Sequence, residues 1–161
     1  MSHPKPNFNR MLQLIDEVFA TRNDPDQLQV TQQQLKKLQK IHPATLTEKA
    51  GKDGPVIWIL IIPTTKKIME QFIKHEISEK TLLEKTKPGD IYDCIYLCSA
   101  TTLPEARGKG ETKKLCLEAI KKICKDHPIT TLFVWPFTKE GGKLAQTVAK
   151  ESKLWLLKRE E

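Results

Sequence analysis

The residues best placed to do chemistry lie between Tyr92 and Cys124. Arg107-Gly108-Lys109-Gly110 joins an apolar, β-branched and aromatic run, Ile91 to Cys98, to a segment in which Leu115, Cys116, Ala119, Ile120, Ile123 and Cys124 recur at helical spacing. The first run, free of Pro and Gly, predicts a strand, and the second predicts an amphipathic helix with Lys113, Lys114, Glu118, Lys121, Lys122 and Lys125 on its polar face. A helix start carries N–H groups without intrahelical acceptors and a partial positive charge. Gly108 and Gly110 let backbone approach an anion closely, and Arg107, Lys109 and Lys113 add full charges. The pattern is that of a phosphate cradle. An ordinary strand-to-helix turn is the other reading of the glycines alone.

Leu97 to Gly110 resembles motif A of the GNAT superfamily, the acyl-CoA-dependent N-acetyltransferases, written Q/R-x-x-G-x-G/A after a strand and before a helix. Pro104, Arg107, Gly108 and Gly110 fit; Glu105 stands at the first motif position, and Glu111 and Thr112 follow the last glycine. The resemblance implies acetyl-CoA, or another acyl-CoA, as co-substrate, and a small-molecule or protein amine that attacks the thioester directly. Backbone near Cys98 and Ala100 would hold pantetheine and polarise the thioester carbonyl. The amides of Ala106, Arg107, Gly108, Lys109, Gly110, Glu111 and Thr112 would hold the pyrophosphate. Asp93 and Tyr96 are the candidate acid–base residues, Asp93 needing a β-bulge to reach the face of Cys98. The tyrosine that serves many members as general acid has no counterpart in residues 138–151.

Other elements must position these groups. Helices are expected from Asn7 to Ala20 and from Thr31 to about Ile41, within an N-terminal helical part spanning 1–42. Ala44 to Glu48 and Val56 to Ile62 read as a hairpin about Gly51-Lys52-Asp53-Gly54, closed by Pro63. Thr64 or Thr65 and Ser78 start two helices in a 64–87 segment that stands as an insertion against the family's order. After the motif helix, Ile129 to Trp135 is a strand, Thr138 to about Glu151 a helix, and Lys153 to Lys158 a last strand. The expected fold is α/β (α+β): one GNAT-like domain over 1–161, with a central mixed, mostly antiparallel sheet flanked by helices.

The chain has 161 residues, 39% hydrophobic and 29% charged, as a soluble globular protein does. Its +7 charge is uneven: residues 1–100 hold 14 basic and 12 acidic residues, and residues 101–161 hold 13 and 8. The excess sits beside the glycine loop, where a polyanion would bind. The acids interspersed among the lysines and the 6% aromatic content argue against nucleic acid, so a basic nucleic-acid-interacting module is a second alternative. The first alternative is a non-catalytic GNAT-fold protein that binds CoA and regulates. Cys94, Cys98, Cys116 and Cys124 lack metal-ligand spacing and are expected to be buried hydrophobes; no metal is expected. No leader or bilayer-spanning run is read, so a cytoplasmic location without a membrane partner is expected.

Overall fold

The computed structural model describes residues 32–136 and 138–160. The expected helix from Asn7 to Ala20 lies outside them. The hairpin forms as its turn signal predicts: β1 (Leu46–Gly51) and β2 (Gly54–Thr64) pair antiparallel, with Gly51 opposite Gly54 at the two-residue loop. Gly54 takes φ 117°, a conformation that suits glycine.

β2 does not stop at Pro63; it runs to Thr64, paired with β3 (Cys94–Thr102) through Pro63↔Ile95 and Thr64↔Cys94. Ile61 N donates to Thr45 O, and the β1 ladder ends at Leu46↔Leu60. Two residues on, Pro63 therefore lacks its N–H on a side where no strand continues among the described residues, a position that tolerates proline. β3 begins three residues later than expected and ends four later. Tyr92 N is taken by His127 Nδ1 and Asp93 N by Thr64 O, while Thr101 and Thr102 pair with Trp58 and Ile57.

The sheet order is β1-β2-β3-β4-β5, with β4 at Thr131–Val134 and β5 at Trp155–Lys158. The first two junctions are antiparallel and the last two parallel, so the sheet is evenly mixed rather than mostly antiparallel. Each parallel junction needs a helical crossover. These are α4 (Glu111–Asp126) and α5 (Lys139–Ser152), which pack on each other and on the sheet. α1 (Gln32–Ile41) precedes the hairpin, and α2 (Lys66–Ile73) and α3 (Glu79–Lys85) lie between β2 and β3.

The helices start where short polar side chains can receive a backbone N–H. Thr65 accepts from Ile68, Ser78 from Thr81 and Thr138 from Gly141, at the starts of α2, α3 and α5. Ile57, Ile59 and Ile61 point to one side of β2, Leu60 and Ile62 to the other, and all are buried. On the second side Phe72 of α2 meets Tyr96 at 4.9 Å and Phe133 at 5.9 Å between ring centroids. Arg159 caps this aromatic group, its guanidinium 4.4 Å from the Phe72 centroid and 4.5 Å from that of Trp135.

Candidate functional site

β3 and β4 pair in register only from Cys94↔Thr131 to Leu97↔Val134. β4 ends there, and Trp135 and Pro136 leave the sheet. β3 continues, and Ser99 to Thr102 pair with β2 alone among the described residues. The strand edge facing β4 thus opens beyond Leu97. Where it opens, Ile61 stands opposite Leu97 and Leu60 opposite Ser99, which makes Cys98 the extra residue of a β-bulge. The bulge resets the alternation: Ser99, not Cys98, follows Tyr96 on the α2 face. It falls at Cys98, whereas bringing Asp93 onto that face needs one earlier in the strand.

The opened edge leads into the glycine loop. Pro104–Ala106 forms a single 3-10 turn that uses two of the candidate amides, with Ala106 N donating to Leu103 O and Arg107 N to Pro104 O. Those two amides are thereby removed from an anion site. No acceptor among the described residues takes the N–H of Gly108, Lys109, Gly110, Glu111 or Thr112. Gly108 and Gly110 take φ 79° and 74°, left-handed values that glycine adopts without strain. Successive N–H groups in such alternating conformations form anion-binding concavities. Gly110 is the N-cap of α4 and has no side chain to accept from the first turn, unlike Thr65, Ser78 and Thr138.

Side chains frame this opening. Arg107 Nε donates to Thr102 O at 3.1 Å, tying the loop back to the end of β3. The hydroxyls of Thr102 and Thr112 meet at 2.8 Å, so the Thr112 hydroxyl is already engaged with the strand. Lys49 of β1 reaches Glu111 at 2.8 Å. That hydrogen bond above all holds Glu111 below the usual carboxylate range, and Lys109 and Lys114 add to the effect.

Both acid–base candidates are displaced from this opening. Tyr96 is fully buried and donates its hydroxyl to Glu79 Oε2 at 2.5 Å. It is a core residue. Asp93 precedes β3, about five residues and so on the order of 15 Å from Cys98. Its Oδ1 is buried with no partner among the described residues, and its charge acts on Cys94. Burial first, and Asp93 second, push the Cys94 thiol up to about 12; burial alone does the same to Cys116. All four cysteines are free thiols; the expected burial holds for Cys94 and Cys116, is only partial at Cys98 and fails at Cys124, which is exposed. Among the described residues no group of His, Cys, Asp and Glu is arranged to hold a metal ion.

Sequence reading missed two polar pairs. Glu79, 2% exposed in the first turn of α3, takes the Tyr96 hydroxyl. His42 is buried, with Nε2 2.7 Å from Asp126 and Nδ1 3.0 Å from Ala44 N. The Ala44 N–H can only donate, so Nδ1 is the unprotonated nitrogen and Nε2 donates to the carboxylate. Both ring nitrogens are thus occupied. A groove of about 480 Å³ opens beside this pair, lined also by Leu46, Thr47 and Lys122, at the opposite end of α4 from the glycine loop. Its histidine has no lone pair left for chemistry. No local signal marks either pair, since each joins residues at least 17 positions apart.

No protein-family model, no curated protein and no solved structure matches the chain. No helix among the described residues is long and apolar enough to cross a membrane.

Proposed function

We propose that the chain is a GNAT-like protein that binds acyl-CoA and passes its acyl group to an amine. The supporting observation is that one strand both loses its neighbour after Leu97 and delivers its end to a helix start without a side-chain cap. A thioester with a pantetheine arm and a diphosphate would use both features in that order. Backbone groups turn alternately to the two edges of a strand, so on the opened edge the amide and carbonyl of Ala100, next to the bulge at Cys98, would pair with the amides of pantetheine as a strand would. The N–H groups from Gly108 to Thr112 would hold the diphosphate. In the reaction the amine nitrogen bonds to the acyl carbon, the carbon–sulfur bond breaks, and the thiolate leaves with the proton that the amine gives up.

Backbone donors at the bulge would stabilise the oxyanion, a contribution that needs no ionisable side chain. Proton transfer is another matter. With Tyr96 buried and Asp93 remote, neither expected acid–base residue stands at the opening, and this favours as second reading a CoA-binding protein without transfer activity. Acetyl-CoA titrated into the full chain separates the two. A rise in melting temperature with thiol release in an amine panel supports transfer; a rise without release supports the binding protein. No rise at millimolar acetyl-CoA rejects both.

A further inference from the structure

Glu111 poses a problem for any anion at the start of α4. It stands in the first turn, where the helix dipole favours its own carboxylate as much as a ligand's phosphate. Left to itself, it would repel a diphosphate or swing onto the same amides. Lys49 answers it from a different element. Its Nζ lies 2.8 Å from Glu111 Oε1, both side chains being partly exposed. β1 changes register between Lys49 and Ala50, directly beside the residue that makes this reach. Such irregularities re-aim side chains. Across the hairpin Lys49 pairs with Ile57, whose side chain is buried, and β1 lies against α4.

Resting on the acyl-CoA reading above, we propose that Lys49 is a positioning residue that draws the Glu111 carboxylate toward β1 and neutralises it, leaving the first-turn amides open to the diphosphate. Lys49 acts through Glu111 and not by touching the ligand. Its value to CoA therefore depends on Glu111 being charged.

The test measures coenzyme A affinity by calorimetry on the full chain and on K49A, K49R, E111Q and the K49A/E111Q double variant. K49A is expected to lose roughly threefold to tenfold in affinity, and less in molar salt, where charges are screened within a few ångströms. K49R is expected to keep wild-type affinity, and E111Q to bind at least as tightly as wild type. The double variant is expected to match E111Q, a coupling that additive effects cannot produce. An equal loss on removing Lys49 in both backgrounds would overturn the proposal, because Lys49 would then touch the anion itself. An unchanged K49A would overturn it as well. If the wild-type chain takes up no coenzyme A, the acyl-CoA reading falls and this proposal falls with it.

Discussion

Gly108 stands beside open space. A Cβ built there meets nothing within 4 Å, yet φ is 79°. Gly108→Val is therefore expected to cost on the order of 1–2 kcal/mol of stability through backbone strain alone. It is expected to abolish the melting-temperature rise with coenzyme A, since the new side chain fills the approach to the amides. Retained affinity in a folded Gly108→Val chain would reduce the loop to a turn. His127 carries a second residue-scale consequence. Burial chiefly, and His42 next, hold its pKa below the ordinary histidine value, with Asp126 opposing. Its Nδ1 also accepts the Tyr92 N–H, which a proton there would displace. The folded state thus binds the proton less readily than the unfolded chain. Stability should be full at neutral pH, fall as pH drops through about 6.5, and level off below the folded pKa. Denaturant melts of wild type and His127→Gln between pH 8 and 5 should show a smaller loss in the variant.

Two adjacent glycines in the first turn of α5 answer an element-scale question differently. A methyl on Gly142 would meet Pro136 Cβ at 3.8 Å, an ordinary contact. Gly142→Ala should gain about 0.5–1 kcal/mol from helix propensity. A methyl on Gly141 would press Thr138 Oγ1 at 3.1 Å, the atom that caps the helix. Gly141→Ala should forfeit that gain and disturb a cap worth about 1 kcal/mol. Thermal melts of the two variants moving equally would refute the distinction. At this scale the chain was largely legible. Thr65, Ser78 and Thr138 mark helix starts because a short hydroxyl beside the chain can satisfy an orphan N–H, and Gly51 to Gly54 marks the hairpin through its turn chemistry. Strand limits were less so. Pro63 suggested one end, and the apolar run suggested another at Cys98, but a strand ends where its neighbours end, and the neighbours are remote in sequence.

Across the whole molecule, Phe72 joins what the chain order separates. It is fully buried between α2 and the sheet, against Tyr96, Phe133 and Trp135, with Arg159 over its ring. Phe72→Ala should cost about 3–5 kcal/mol, a large share of a domain's stability, and denaturant titration will show it. A loss below about 1 kcal/mol would mean that this aromatic group does not hold α2 to the sheet. The amino-acid sequence by itself determined the order of elements, the helix caps, the hairpin and the uncapped glycine start of α4, because each depends on residues a few positions apart. Only the tertiary structure decided that β3 outruns β4, that a bulge falls at Cys98, that Tyr96 is sealed against Glu79, and that Lys49 meets Glu111. Those outcomes depend on register and on contacts between distant segments, where a shift of one residue turns a side chain to the opposite face.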